Sequence, residues 1–120
     1  MNSQNSAKGP DRFTSDPLAI ESYARLVGTD YLASLAALSG LAWCLVMMII
    51  SEETAHVPTW IRVEAHTVRK RGHVELGLPM PPLAALRSLV AVGSLRIPPE
   101  ALERARFELA RVGHPVRDRT

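Results

Sequence analysis

From Tyr31 to Ile50 the chain runs through twenty residues, YLASLAALSGLAWCLVMMII, without one formal charge. A helix rises about 1.5 Å per residue, so this run reaches roughly 30 Å, the hydrocarbon thickness of a bilayer. Eight of its residues are Leu, Ile or Val. Each favours insertion by about 0.3–0.6 kcal/mol, and the costly Asp, Lys and Arg are missing. The pattern predicts a transmembrane helix over residues 31–51. A helix that is apolar on every side must be enclosed by lipid or by protein, so the alternative is the core helix of a soluble domain. Within the run, Ala33, Ala36, Ala37, Gly40 and Cys44 recur at three- and four-residue spacing and make a face of small residues. Such a face admits a closely packed helix, either from a partner or from a second copy of the chain.

The pattern changes on both sides of this run. Met1 to Ser15 is polar and has no apolar periodicity, which predicts a disordered tail. Asp16 and Pro17 open a short amphipathic helix over 16–30, with Ala19, Ile20, Tyr23, Leu26 and Val27 on its apolar face. Gly28 stops it, and Thr29 or Asp30 caps the long helix that follows.

After Pro58 the alternation has period two. Ile61, Val63, Ala65 and Thr67 fall on one side of an extended chain, with Arg62, Glu64 and His66 on the other. Val74, Leu76 and Leu78 repeat the alternation. This predicts an antiparallel β-hairpin over 59–78, turned by Arg69-Lys70-Arg71-Gly72, with glycine in the left-handed position. Pairing Thr67 with Val74, Ala65 with Leu76 and Val63 with Leu78 keeps the apolar residues on one face. Prolines 79, 81 and 82 end the second strand. Helices follow over 82–93 and 98–112, each opened by prolines and closed by a glycine, and residues 115–120 form a polar tail. On the last helix, Glu100 and Arg104 are an i,i+4 pair. The predicted fold class is α+β: a short helix, a long apolar helix, then a small α+β region over 52–114.

Hydrophobic residues make up 47% and charged residues 22% of the chain, which excludes wholesale disorder. The net charge of +2 divides into −1 before the apolar run and +3 after it. Arg62, Arg69, Lys70 and Arg71 follow the run, whereas Arg25 alone lies close before it. The positive-inside bias then places the carboxyl half in the cytosol. The soluble alternative places the chain in the cytoplasm.

Candidate chemistry is sparse. His56, His66, His73 and His114 have no metal-ligand spacing. The single Cys44 lies in the apolar run, with no second cysteine to pair or ligate with. There is no phosphate-cradling glycine loop and no nucleophile elbow. No catalytic, cofactor or metal residue is therefore assigned, and the expectation is a protein that is not an enzyme. The basic turn Arg69-Lys70-Arg71 is the candidate contact for anionic lipid or another polyanion. The leading expectation is a single-span membrane protein acting as an accessory or regulatory subunit. Its alternative is a soluble adaptor or nucleic-acid-associated protein, with Tyr31 to Ile50 as its core helix and the basic turn set against nucleic acid.

Overall fold

A computed structural model describes residues 24–113. The expected tails over 1–15 and 115–120, and the Asp16-Pro17 helix start, lie outside these residues. Among the described residues every regular element is helical: α1 (Tyr31–Leu38), α2 (Ala42–Ile50), a 3-10 turn (Thr54–His56), α3 (Thr59–Leu76), α4 (Leu83–Ala91) and α5 (Pro99–Gly113). Residues 24–28 are helical as well. The expected α+β class is therefore replaced by an all-α fold.

The twenty-residue apolar run is not one helix. At Ser39 the backbone becomes extended, with φ −143° and ψ 132°, and the Ser39 Oγ accepts the Leu41 N–H at 3.1 Å. The hydroxyl caps the turn between the two helices by taking up the N–H two residues on, and Gly40 sits within that turn. The result is two helices of eight and nine residues, α1 and α2, only about 12 and 13.5 Å long. Among the described residues no helix is long and apolar enough to cross a membrane. The expected transmembrane helix is thus overturned by a serine–glycine break that composition alone does not reveal.

What encloses the apolar residues is protein. Eight of the nine residues of α2, Ala42 to Ile49, are buried. The long helix α3 and the amphipathic helix α5 make the largest contacts with α2, and α1 and α4 close the remaining sides. Leu26 from the helical residues 24–28, and Val57, Leu78 and Leu95 from the connecting segments, plug the core.

Residues expected to form the hairpin make the continuous eighteen-residue helix α3. Ile61, Ala65, Val68 and Gly72 are its buried residues, at spacings of four, three and four, which is one helical face. Val63, Val74 and Leu76, half of the proposed cross-strand apolar pairs, are instead exposed. The β-branched residues mimic a strand over a short window. The four core positions span eleven residues and decide for the helix. Gly72 is not in a turn: it admits Leu35 of α1, whose Cδ2 lies 2.5 Å from where a Cβ would stand. The left-handed glycine is Gly77 (φ 70°), where α3 stops. There the Gly77 N–H bonds to the His73 carbonyl and the Leu78 N–H to that of Gly72.

The carboxyl end of α2 lies inside the molecule, so its last carbonyls need donors other than water. The Ser51 N–H takes the Met47 carbonyl at 2.9 Å. Arg87, half-buried on α4, donates from Nε (3.2 Å) and Nη2 (2.8 Å) to the Met48 carbonyl. A fixed cation at a helix carboxyl end also opposes its dipole. Arg87→Met is expected to lower stability by about 1.5–3 kcal/mol, the usual cost of losing hydrogen bonds to a charged donor. Arg87→Lys should restore only part of this, since an ammonium cannot reproduce the fork. Urea unfolding of the three proteins measures it, and an Arg87→Met variant as stable as the wild type would show that the capped carbonyl is dispensable.

Candidate functional site

The basic triplet does not form a tip. Consecutive residues on a helix point about 100° apart, so α3 disperses Arg69, Lys70 and Arg71 around its circumference. Arg69 is half-buried and donates from Nη1 to the Pro81 carbonyl at 2.8 Å. Lys70 is exposed. Arg71 pairs with Glu75 at 2.8 Å, and that hydrogen bond holds the Glu75 carboxyl below its ordinary value. The expected basic hairpin is corrected accordingly.

The small-residue face is dispersed too. Ala33 and Ala36 are half-buried on α1, Ala37 and Gly40 are exposed, and Cys44 is fully buried on α2. The break at Ser39 rotates α2 relative to α1, so the five no longer share one helix face. Burial pushes the Cys44 thiol up to about 12, with Glu64 and Glu108 adding to the rise and Arg104 opposing it. A thiol held neutral in the core is not a nucleophile at physiological pH.

His73 donates from Nδ1 to the Leu78 carbonyl at 2.9 Å, which ties down the end of α3. His56 lies 3.7 Å from Glu53 at the exposed 3-10 turn, and His66 is solvent-facing. His114 lies outside the described residues. Among the described residues no cluster of three or more His, Cys, Asp or Glu could hold a metal ion.

The assembled cluster is aromatic and cationic. Trp43 begins the buried helix α2, and Trp60 stands in the first turn of α3, 55% exposed. Their rings meet edge to face at 81°, with centroids 6.1 Å apart, a favoured arrangement of aromatic quadrupoles. Arg104 of α5 lies over the Trp43 ring at 4.5 Å, within cation–π range. Its Nε donates to Glu108 at 2.9 Å, and Arg111 reaches the other Glu108 oxygen at 3.3 Å. Glu108 is only 9% exposed, so two guanidinium groups compensate a nearly buried carboxylate. Arg104 therefore pairs forward with Glu108, not back with Glu100. The amphipathic pattern of α5 carries a faint signal for this, because Glu108 directly precedes the half-buried Leu109.

Beside this stack is a hollow of about 270 Å³, lined by Ala36, Ser39, Gly40, Trp43, Glu100 and Arg104, among others. It lies where the α1–α2 elbow meets the start of α5. Its hydroxyl, Ser39, is already committed to the Leu41 N–H. The hollow has an apolar floor, one guanidinium and one carboxylate on its rim, and no activated nucleophile. No protein-family model, no curated protein and no solved structure matches this chain.

A second polar cluster lies on the α1–α3 contact. The Tyr31 hydroxyl and the Arg69 Nε are both buried without a hydrogen-bond partner. Burial pushes the Tyr31 phenol up to about 12, and Arg69 opposes the rise. Between about pH 10 and 12 the unfolded chain has lost this proton while the folded chain retains it, so stability falls as pH rises through that window. Tyr31→Phe removes both the unmet hydroxyl and the titration. It should be neutral or slightly stabilising at pH 7, since an unpaired buried polar group costs about 1–3 kcal/mol, and it should lose stability less steeply than the wild type above pH 10. Thermal melts from pH 7 to pH 11.5 test both. A variant destabilised at pH 7 would mean that the hydroxyl has a partner.

Proposed function

We propose that this protein is a non-enzymatic adaptor that docks a short segment of a partner protein in the hollow between the α1–α2 elbow and α5. The observation that carries this reading is the Arg104 guanidinium, stacked on Trp43 and pinned by the nearly buried Glu108 at the rim of that hollow. Rigid aromatic and arginine side chains at the edge of a pocket are the types that dominate binding energy at protein interfaces. Trp43 offers an apolar wall for a partner side chain. Arg104 has five N–H donors, and with Nε engaged the remainder can meet a carboxylate or carbonyl. The partner segment is accordingly an apolar side chain next to an acidic residue.

Selection from a peptide library is expected to enrich apolar–acidic sequences that bind at micromolar concentration and change the tryptophan fluorescence. Gly40→Leu fills the hollow without disturbing the stack, because a Cβ there meets nothing within 4 Å. It should weaken binding at least about tenfold, as should Arg104→Ala, a loss of roughly 1.4 kcal/mol or more. Failure to enrich any peptide, or binding that is indifferent to both substitutions, rejects this site. Single-stranded DNA competing for the same residues would make the chain a nucleic-acid binder instead.

An aqueous location, the cytoplasm, belongs to the same reading. Its support is that α3 and α5, and not lipid, cover the apolar helix α2. After alkaline carbonate extraction of cells expressing the chain, the protein should be found in the supernatant. Retention in the membrane pellet would contradict it.

A further inference from the structure

Among the described residues no element covers the outer face of α3. With 100° per residue, Trp60, Val63, Thr67, Arg71 and Val74 all lie within about 40° of a line through Thr67. That line points well away from the buried face of Ile61, Ala65, Val68 and Gly72. Trp60, Val63 and Val74 are 55%, 57% and 70% exposed, an unusual concentration of apolar surface for one side of one helix. Trp60 is held in place from behind by the edge of Trp43, so little rotamer freedom is lost if it is covered.

The order of residues along this face is close to a palindrome about Thr67. Trp60 and Val74 stand seven residues before and after it, and Val63 and Arg71 stand four before and after. Glu64 flanks the line three residues before Thr67 and Lys70 three residues after. An antiparallel two-fold pairing sets each position at the height of its mirror, where it meets the residue of the second copy on the same side of the seam. We infer that the outer face of α3 is a self-association surface, on which a second copy of the chain packs antiparallel with the two-fold axis beside Thr67.

In this pairing Trp60 covers Val74 of the second copy, and Glu64 meets Arg71 across the seam, each contact occurring twice. Val63 lies along the aliphatic stem of Lys70, which keeps its charge in water. The residue on the axis suits a dry contact, because the Thr67 hydroxyl already donates to the Val63 carbonyl of its own helix at 3.0 Å. It therefore presents its methyl group without leaving an unmet donor. Charge complementarity favours a second copy over a lipid surface: Glu64 and Glu75 border the face together with Lys70 and Arg71, a balanced mixture of signs that an antiparallel copy pairs and a uniformly anionic surface does not. The face does not include the residues that line the hollow beside Trp43, so substitutions can address the two surfaces separately.

One exposed helix face is small against the ~800 Å² per partner of a standard interface, so the dimer should be concentration-dependent. Sedimentation of the whole chain is expected to show monomer at low concentration and dimer on the order of 100 μM. Val74→Lys, at a position 70% exposed and hence harmless to the fold, should raise the dimer dissociation constant at least about tenfold. Thr67→Cys supplies a positional test. Two packed helices place residues on the axis roughly 3.5–5.5 Å apart at Cα, overlapping the span of a disulfide. That variant should form a covalent dimer under mild oxidation, and adding Val74→Lys should suppress it. Arg62→Cys, exposed on another side of α3, should cross-link far more slowly, and the native Cys44 is too buried to interfere. A chain that stays monomeric up to about 1 mM, or a dimer in which Thr67→Cys cross-links no faster than Arg62→Cys, overturns the inference.

Discussion

The fold depends on enclosing a nine-residue helix that has no polar side. The sequence AWCLVMMII offers nothing to water, so every direction around α2 must be filled by another element. At 120 residues a chain can surround one such helix and little more, and the rest of the architecture follows from that duty. The helices α3 and α5 each turn one apolar stripe inward, the helical turn at 24–28 adds Leu26, and the loops contribute Val57, Leu78 and Leu95 as plugs. Backbone polarity is the second half of the same constraint. The carboxyl end of this helix carries carbonyls turned into the molecule, and Arg87 answers that of Met48.

The surface chemistry grows from this core. Because Trp43 opens the buried helix, its ring reaches the perimeter between α3 and α5, where Trp60 and Arg104 both meet it. Glu108 then gains a structural reason for its near burial: it orients the two guanidinium groups that flank it. The resulting patch is rigid, aromatic and cationic, and is suited to recognition. A neutral buried thiol, scattered histidines and a serine already used as a cap leave the chain without an assembled catalytic group among the described residues. The outer face of α3 is the complement of its buried stripe, exposed for the simple reason that one helix face suffices to cover α2.

Some of this was legible in the residues. The stop at Gly93, at positive φ, is a glycine where an L-residue would be strained, and the prolines before α4 and α5 mark their starts; the equivalent stop at Gly77 was hidden inside the expected hairpin. The helical class of residues 59–76 was not read, because Ile61, Val63, Ala65 and Thr67 satisfy a two-residue period over the first half of the segment. Only the longer repeat through Gly72 favours the helix. Gly40 is legible as one of a face of small residues, but the serine–glycine pair is also a turn signal. The partners of Trp43 were beyond the sequence, since Trp60 and Arg104 are 17 and 61 residues away in the chain.

By itself the sequence determined that the stretch from Tyr31 to Ile50 had to be hidden from water, because twenty uncharged residues with eight Leu, Ile or Val leave no other stable outcome. It also determined which residues could end helices, because glycine and proline act through the local backbone. What hides the apolar stretch was decided only in three dimensions. Lipid and protein are nearly equivalent solvents for leucine, so hydropathy cannot tell them apart. An arginine 39 residues from its carbonyl partner can. That contact exists only once the helices have packed, and packing turns the apolar run into a core.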